Sequence, residues 1–478
     1  MTAINRISFY IAVSLIPIAT ASAQPTLEAP SGNTTLETRL GAFDLSVGNS
    51  VFSLDGRHIA FIAENDTSQF VVVDGKPGPA YQFVGQGSVG FSPDGTRVAY
   101  NVSTGTKQMV VLDGVAGPQY DGIAGLQFSA DGKHLAYGFR SGSKWSLTVD
   151  GHSGAEFDAI MRGSIVFSPD GRQLAYCAKN GTDYFVVVNG KPSEPYEKVS
   201  SLAFLVTPNG TQPIYFAQRK QVMSLIGSPQ PVAQGDHASE LVIGPDHKHF
   251  AYLATSLDPG TKKVNCFVVR DGQASAPFDA AHTLNDPALM VLPKYSPDGA
   301  HLAYVAVNNN KQSVVLDDKP GPAYGVILDG TLTFSPDSNH LAYAAQTGPG
   351  TCCVILDGRA GPNFRLVVND PVTFSPDGKR LAYVATNDIS KYFAVVDGQA
   401  GPQYDQILRH SLAFSPDAKS VAYSAKAGTN GLVVVNGQAG PKYESICDYS
   451  PTFNSDGSLD YLAVRDKTLY RVHCSPAH

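Results

Sequence analysis

Histidine is the first residue type in this sequence whose spacing could serve chemistry. Five of the twelve histidines occupy one equivalent position, just before a Leu-Ala-Tyr-like segment: His58, His134, His249, His301 and His340. Histidine binds metals and transfers protons near neutral pH. Equivalent positions in successive repeats lie too far apart to share one ion, so we interpret these residues as polar side chains beside turns. His247 and His249 form a pair, but two histidines alone make no zinc site. No metal site is predicted.

A glycine-rich segment is the second candidate. Gly85–Gly90 matches the dinucleotide-binding pattern G-x-G-x-x-G. That pattern works only between a strand and the N-terminus of a helix, whereas this segment continues directly into Phe91-Ser92-Pro93-Asp94. We therefore interpret the match as a coincidence. The sequence also contains no phosphate-binding loop, no H-E-x-x-H and no G-x-S-x-G nucleophile elbow. No catalytic residue and no cofactor are predicted.

Acids and tyrosines recur at fixed repeat positions. Twenty-three of the 42 acids lie in repeated turns or directly after the repeated tyrosine or the phenylalanine that replaces it, and sixteen of the 22 tyrosines lie in two repeated slots. Repetition of this kind favours structural roles, so we expect the tyrosines to pack between neighbouring repeats.

The six cysteines form no C-x-x-C pair, which leaves zinc ribbons and thioredoxin chemistry without support. Cys352 and Cys353 are neighbours and should point to opposite faces of a strand. Cys447 and Cys474 lie in the last two repeats, and a disulfide between them would tie the final repeat to its neighbour. Sequence alone does not determine such a pairing.

Composition narrows the class. The chain has 478 residues with 46 glycines, 32 prolines and only 16% charged residues. Such a chain is rich in turns and poor in the charged residues that surface helices need. The net charge of −7 provides no basic footprint for nucleic acid or an anionic membrane. An all-β protein is the expected class.

The N-terminus has the features of an export signal. Arg6 precedes an apolar run over residues 7–18, and Ala21-Ser22-Ala23 is a small-residue cleavage site. We predict a signal peptide over 1–23 that is cleaved after Ala23, a flexible leader over 24–38, and a periplasmic or secreted protein. The apolar run is too short to span a bilayer, so no membrane span is predicted.

An internal repeat organises the rest of the chain. The line F-S-P-D-G-x-x-L-A-Y, a polar gap and V-V-V-D-G-x-x-G-P-x-Y-D-x-I recurs about every 40 residues. Its eleven starts are Phe52, Phe91, Phe128, Phe167, Val206, Ile243, Tyr295, Phe334, Phe374, Phe414 and Phe453. Ser-Pro-Asp-Gly is a tight turn, and Asp-Gly after an apolar run is a strong hairpin signal. Each repeat therefore predicts four short strands, which is the pattern of a propeller blade.

The unit resembles the TolB-type propeller repeat, a relative of the WD-type repeat, in its Ser-Pro-Asp-Gly turn followed by a Leu-Ala-Tyr-like strand. The resemblance covers residues 43–474, and it is weakest at Val206-Thr207-Pro208-Asn209-Gly210. It implies an all-β fold, a β-propeller of about eleven four-stranded blades. It also implies an exported, non-catalytic protein that binds a protein or another envelope partner.

The number of rings stays open at this point. Eleven blades exceed the usual four to eight, and residues 280–293 are inserted between the blades of 39–279 and those of 294–474. Two rings divided at 280–293 would restore ordinary blade numbers. Alternatively, Phe43–Val47 aligns with the strand before each motif, and the last repeat ends after its third strand at Cys474. An N-terminal strand could then complete the last blade and close one large ring.

Three function classes follow: a binding scaffold, a propeller enzyme of the lyase, lactonase or cyclase type, and a structural surface protein. Uniform turns between strands one and two and between three and four should share one face. The variable loops between strands two and three should share the other face with the connections to the next blade, and variable loops on a rigid scaffold favour binding. We predict partner contacts from the loop residues Arg140, Lys144, Trp145, Asn308, Asn309 and Asn310. Trp145 could instead simply cap the gap between two blades.

Overall fold

A computed structural model describes residues 27–28, 34–42, 51–54, 58–64, 67–220, 222–228, 237–238, 240–257, 260, 264–279, 292–368, 372–388, 390–447 and 450–475. These residues form antiparallel strands joined by turns, and they contain no helix. In this part of the chain no helix is long and apolar enough to cross a membrane. The predicted signal peptide, the strand expected at Phe43–Val47 and residues 280–291 of the insertion lie outside the described residues.

The strands fall into eleven sequential units. The first five are unit 1 (Val51–Phe52, Ile59–Glu64, Gln69–Val73, Lys76–Pro77), unit 2 (Phe83–Val84, Gly90–Phe91, Val98–Thr104, Lys107–Leu112, Val115–Ala116), unit 3 (Gly122–Phe128, Leu135–Ser141, Lys144–Val149, His152–Phe157), unit 4 (Ala159–Ile160, Val166–Phe167, Leu174–Asn180, Asp183–Val188, Lys191–Pro192) and unit 5 (Lys198–Thr207, Gly210–Arg219, Val222–Ile226).

The next five are unit 6 (His237–Ala238, Val242–Ile243, Phe250–Leu257, Val264–Arg270, Gln273–Ala274, Phe278–Asp279), unit 7 (Lys294–Tyr295, Leu302–Asn308, Lys311–Leu316, Lys319–Tyr324), unit 8 (Thr333–Phe334, Leu341–Gly348, Thr351–Leu356, Arg359–Ala360), unit 9 (Leu366–Val367, Thr373–Phe374, Leu381–Asp388, Lys391–Val396, Gln399–Ala400) and unit 10 (Gln406–Ile407, Ala413–Phe414, Val421–Ala427, Asn430–Val435, Gln438–Tyr443). Unit 11 combines Ser445–Ile446, Thr452–Phe453, Leu459–Arg465 and Thr468–Cys474 with the N-terminal strands Leu27–Glu28 and Thr34–Ala42.

The first strand of most units is split into two short pieces that both pair with the second strand. In unit 2, Phe83–Val84 and Gly90–Phe91 both pair with Val98–Thr104. The glycine-rich segment Gly85–Gly90 thus interrupts the first strand of unit 2, and the element that follows it is a strand and not a helix. First strands of neighbouring units also contact one another, as Val51–Phe52 contacts Gly90–Phe91. They lie where the units converge, and the more exposed fourth strands lie outside.

Hydrophobic clusters form between units rather than within them. One cluster joins Val71 of unit 1 to Tyr100 and Val111 of unit 2, and a corresponding cluster joins every later pair of consecutive units. Tyrosines stack edge-on across several of these interfaces, with Tyr404 of unit 9 and Tyr423 of unit 10 at 6.2 Å between ring centroids. The expected packing of tyrosines between repeats is confirmed. Four-stranded sheets that bury both faces against their neighbours make this chain a β-propeller.

The last unit packs against the first. Ile59 and Phe61 of unit 1 share a cluster with Leu462 and Leu469 of unit 11. The units on either side of the insertion are joined as well, because Phe278–Asp279 pairs with the third strand of unit 6 and Asp279 pairs with Val307 of unit 7. Among the described residues, each unit therefore shares an interface with the next, and the last unit shares one with the first.

An N-terminal strand completes the last unit, but it is not the predicted segment. Thr34–Ala42 pairs antiparallel with Thr468–Cys474, and Glu37 is buried. Residues 34–38 therefore belong to a strand, although the sequence analysis placed them in a flexible leader. Leu27–Glu28 of the leader is a strand as well and pairs with Thr34–Thr35. The partner Thr468–Cys474 lies more than 400 residues away, so local sequence gives no indication of that pairing.

The cysteines do not support the suggested disulfide. None of the six forms a disulfide, and five of them are buried. Cys447 belongs to the cluster between units 11 and 1, whereas Cys474 packs against the cluster between units 10 and 11. The two thiols therefore lie on opposite faces of the closing sheet, where no bridge can form without moving the backbone.

Candidate functional site

The propeller has two faces that could bind a partner. We define the turn face as the edge that carries the turns between strands one and two and between strands three and four. We define the loop face as the edge that carries the hairpins between strands two and three and the connections to the next unit. The predicted division is confirmed, since His58 after the first turn of unit 1 contacts Asp74 in its last turn.

On the turn face, the Ser-Pro-Asp-Gly turn is closed by its own side chains. In unit 9, the Ser375 hydroxyl donates to the Asp377 carboxylate at 2.6 Å and accepts the amide of Arg380 at 2.9 Å. The Ser375 hydrogen bond and the Lys379 amide hold the pKa of Asp377 below its ordinary value. The same serine-to-aspartate bond recurs in units 2, 3, 4, 7, 8 and 10. These carboxylates serve the turn.

The five repeated histidines have a structural partner. The Nδ1 atom of each histidine lies 2.6–2.7 Å from a carboxylate oxygen of the aspartate in the last turn of the same unit. The pairs are His58–Asp74, His134–Asp150, His249–Asp271, His301–Asp317 and His340–Asp357. Arg97 and Arg380 pair in the same way with Asp113 and Asp397. The other oxygen of each aspartate accepts the backbone amide that begins the second strand, as Asp74 does from Ile59.

Two exceptions explain the choice between aspartate and asparagine in this turn. Unit 4 has Gln173 and unit 10 has Ser420 at the basic position, and both units have asparagine in the turn. Asn189 and Asn436 still accept the backbone amide, at 2.9 Å. To accept the backbone amide, the turn residue needs only a side-chain oxygen, which aspartate and asparagine both provide. The negative charge of aspartate occurs in the units where a histidine or arginine pairs with it.

On the loop face, a carboxylate fixes the hairpin in six of the units. Asp121, in the connection that leads into unit 3, accepts the amide of Gly142 at 2.7 Å, and Asp405 does the same for Gly428 of unit 10. Equivalent bonds run from Asp158, Glu197, Asp279 and Glu444. The hairpins of units 3, 4, 5, 7, 10 and 11 are thus anchored to the connection that precedes their own unit, which gives the loop face fixed hairpins with variable tips.

Three predicted contact residues meet in the hairpin of unit 3. Arg140 and Trp145 are cross-strand partners, and Ser141 pairs with Lys144. The Arg140 guanidinium donates to the Asp121 carbonyl at 3.0 Å, and the Lys144 ammonium lies 2.7 Å from Asp158. That ammonium holds the pKa of Asp158 below its ordinary value.

Trp145 is partly buried against the cluster between units 3 and 4. A Cβ at Gly122 would lie 3.4 Å from both the Trp145 ring and the Arg140 guanidinium, so a glycine leaves room for this pair. Trp145 therefore caps the gap between two blades and also presents part of its ring at the loop face.

The other predicted contact residues belong to a separate hairpin. Asn308, Asn309 and Asn310 form the tip of unit 7, and Asn309 and Asn310 adopt positive φ angles of 52° and 60°. Asparagine tolerates this conformation better than most residues. The Asn309 amide donates to Asp279 at 3.0 Å. The structure thus assigns the two predicted groups to the same face, in hairpins four units apart.

Sequence reasoning missed a cavity of about 520 Å³ between units 11 and 1 on the turn face. Asp460 is buried there and accepts hydrogen bonds from Arg471 and His473 at 2.6 and 2.7 Å. Unit 11 has Asn454-Ser455 in place of Ser-Pro, and its third strand ends without an Asp-Gly turn. Those departures from the repeat are the signal that could have drawn attention to this place.

Comparisons with known proteins give distant similarities. No family model matches the chain, and no curated protein matches it. A solved structure described as a eukaryotic initiation factor is 12% identical with a TM-score of 0.44, and the match covers 87% of this chain and 98% of that one. TolB from Acinetobacter baumannii is 16% identical with a TM-score of 0.24, over 66% of this chain and 79% of that one. The β-propeller domain of the Trilobed protease from Pyrococcus furiosus is 13% identical with a TM-score of 0.25, over 58% and 96%. The assignment of the fold rests on the chain's own sheets.

Proposed function

We propose that this propeller is an exported, non-catalytic scaffold that binds a protein or another envelope partner through its loop face. The observation that carries the proposal is the anchoring of the loop-face hairpins. Carboxylates such as Asp121 and Asp405 fix six of the hairpins to the preceding connection, while the tips differ from unit to unit. A rigid frame with variable tips is the arrangement that binding surfaces favour.

The charged residues that recur also support a scaffold over an enzyme. A propeller enzyme would need acids or histidines that are available to a substrate. The repeated histidines pair with turn aspartates, and the repeated turn aspartates accept hydrogen bonds from serine and backbone groups. Their geometry is accounted for by the turns they close.

We place the partner on the hairpin of unit 3, with Arg140, Lys144 and Trp145 in contact, and on the tip Asn308–Asn310 of unit 7. Tryptophan and arginine are enriched among the residues that dominate binding energy. Because Trp145 is the only tryptophan in the chain, its fluorescence reports on this hairpin alone.

The test uses the partner purified by cross-linking from the envelope fraction. Its addition should change Trp145 emission, and the double variant Arg140→Ala with Trp145→Ala should bind at least tenfold more weakly. Lys133→Ala is the matched control, since Lys133 lies on the turn face with 76% of its side chain exposed. Unchanged emission together with parent-like binding by the double variant would remove this hairpin from the proposal.

Export rests on the sequence of residues 1–23 and has its own test. The mature protein should begin at Gln24 when its N-terminus is sequenced. Cleavage there leaves the closing strand Thr34–Ala42 in the protein. Protein that stays in the cytoplasm with its first residues intact would contradict export.

A further inference from the structure

The residue just before the second strand covers the gap to the next unit on the turn face in units 1, 4 and 9. The His58 ring lies 6.2 Å from the phenylalanine ring in the first strand of unit 2. The Arg380 guanidinium lies 5.3 Å from the centre of the Phe414 ring in unit 10. The side-chain amide of Gln173 donates to a backbone carbonyl of unit 5 at 2.9 Å. A long polar side chain at this position therefore spans two consecutive units.

Unit 10 has a short side chain at the same position. Ser420 stands there, and its hydroxyl oxygen accepts a hydrogen bond from the side-chain amide of Asn436 in the same unit at 3.1 Å. A serine is too short to reach unit 11, and a cavity of about 480 Å³ lies between units 10 and 11 at this place. Pockets that bind small molecules have volumes of about 300–1,000 Å³. The cavity therefore has the size of a small-molecule site.

The cavity has an apolar inner wall and a polar rim. Val433 and Tyr461 are buried in the cluster between units 10 and 11, and both line the cavity. Phe453 also lines it and is only partly buried. The rim includes the side chains of Asp417 and Asp456. A ligand in this cavity would place an apolar body against the inner wall and a polar group at the rim.

Unit 9 shows which polar group fits such a place. The Arg380 guanidinium lies over the Phe414 ring, pairs with Asp397 at 2.8 Å and donates to the backbone carbonyls of two turn residues of unit 10. Planar guanidinium groups stack on aromatic rings and donate several hydrogen bonds at once. At the next interface, Phe453 and Gly457 line the cavity, and they correspond to Phe414 and to the first of those two turn residues. The interface between units 10 and 11 therefore repeats the surroundings of a guanidinium without containing one among its described residues.

The charges at the rim favour a cation. Hydrogen bonds from the Ser458 hydroxyl and backbone amide hold the pKa of Asp456 below its ordinary value, so this carboxylate is ionised at neutral pH. In the described part of the chain, no lysine or arginine lies within salt-bridge distance of Asp456, whereas Asp417 pairs with Lys419 at 3.5 Å. The rim thus offers one ionised carboxylate to the polar end of a ligand.

We propose that the cavity between units 10 and 11 binds a small organic ligand that carries a planar cation, of the guanidinium or amidinium type, on an apolar body. The cation lies over Phe453 and near Asp456, as the Arg380 guanidinium lies over its ring in the preceding interface. The apolar body contacts Val433 and Tyr461. This site is on the turn face, and it does not depend on the binding proposed for the loop face.

Isothermal titration calorimetry of the full chain with two small probes tests the chemistry of the site. Benzamidine carries a planar cation on an apolar ring, and benzamide is its neutral counterpart. Benzamidine should bind at least tenfold more tightly than benzamide, and added salt should weaken the binding of benzamidine alone. Equal binding of the two probes would overturn the proposal. Binding of an arginine-containing pentapeptide without binding of benzamidine would also overturn it, because the ligand would then be a side chain of a polypeptide.

Variants that copy other units locate the probe. Ser420→Arg and Ser420→Gln supply the side chains that cover this gap in units 9 and 4, and both should bind benzamidine at least tenfold more weakly. Ser420→Ala is the matched control and should bind as the parent does. Asn436→Asp restores the acid that pairs with arginine in unit 9, so it should bind benzamidine at least threefold more tightly and leave benzamide unchanged. Asn189→Asp, the same change in unit 4, should alter neither. Equal binding by all the Ser420 variants, or no gain in Asn436→Asp, would contradict the site.

The end of the chain has its own control, because Ser475 lines the cavity and residues 476–478 follow it. A chain that ends at Ser475 should bind benzamidine as the full chain does. Binding that is at least tenfold tighter in the shortened chain would mean that the last three residues compete for the cavity, and it would overturn the assignment to a separate ligand.

Discussion

The N-terminal strand that closes the propeller depends on one buried carboxylate. Glu37 accepts two hydrogen bonds from the Arg465 guanidinium, both at 2.9 Å, and a third from the Tyr443 hydroxyl at 2.7 Å. Its side chain is only 9% exposed, whereas that of Arg465 is 33% exposed. These three bonds join the N-terminal strand to units 10 and 11, so we expect Glu37→Ala to weaken closure of the ring.

The magnitude follows from the burial of the three groups. Breaking a fully buried ion pair costs about 3–5 kcal/mol, and a buried hydroxyl left without a partner costs about 1–3 kcal/mol. Arg465 can regain water because a third of its side chain is exposed, which lowers the total. We therefore expect Glu37→Ala to reduce the free energy of unfolding by about 2–4 kcal/mol. Glu37→Gln retains the shape and should lie between this variant and the parent.

Urea denaturation followed by Trp145 fluorescence measures the change, with Glu156→Ala as the control. Glu156 is an exposed carboxylate in the outer strand of unit 3, and its loss should stay within about 0.5 kcal/mol. Hydrogen exchange should also become faster in residues 34–42 of the Glu37 variant. If Glu37→Ala and Glu156→Ala unfold at the same urea concentration, the closing role assigned to this contact is wrong.

Three further predictions concern the repeated turns and tyrosines. Gly378→Ala should destabilise the protein more than Gly358→Ala in thermal unfolding. Both glycines have φ near 75°, but only a Cβ at Gly378 would meet Asp337, at 2.5 Å. Equal losses of stability in the two variants would mean that backbone strain alone matters. Hydrogen bonds from Asn339 and Ser335 lower the pKa of Asp337 to about 2, so stability that is fully present above the unfolded pKa of about 4 should be lost as the pH falls towards 2; an acid titration of stability that is flat over this window would contradict the turn geometry. Burial raises the pKa of Tyr100 to about 12, so stability present below pH 10 should be lost as the pH rises towards 12, and absorbance at 295 nm should show tyrosinate appearing together with unfolding rather than before it.

The repeat made most of the fold predictable from sequence. Ser-Pro-Asp-Gly and Asp-Gly each determine a local turn, and the apolar run between them can only be a strand buried on both faces. The role of His340 was half predicted: its place beside a turn follows from the motif, but its partner Asp357 is seventeen residues away. The sequence does carry a signal for that pair. Units with His or Arg before the second strand have Asp in the last turn, whereas units with Gln or Ser there have Asn.

Closure of the ring could not be predicted in detail because it depends on distant pairing. The sequence analysis predicted Phe43–Val47 as the closing strand because this segment resembles the repeat. The strand that pairs with Thr468–Cys474 is instead Thr34–Ala42. Its register depends on contacts of Glu37 with Arg465 and Tyr443, more than 400 residues along the chain. For the same reason, the sequence could not predict which face of the closing sheet Cys447 and Cys474 each occupy. That depends on the register in which the strands of unit 11 pair.

Hydrogen exchange of the full chain, with and without the partner captured from the envelope fraction, tests the functional proposal most directly. Partner binding should slow exchange in the loop-face hairpins, above all at residues 141–145 and 308–311, and should leave the turns at residues 92–97 and 129–134 unchanged. Slower exchange in those turns, with the loop-face hairpins unaffected, would contradict the proposal that this propeller binds through its loop face.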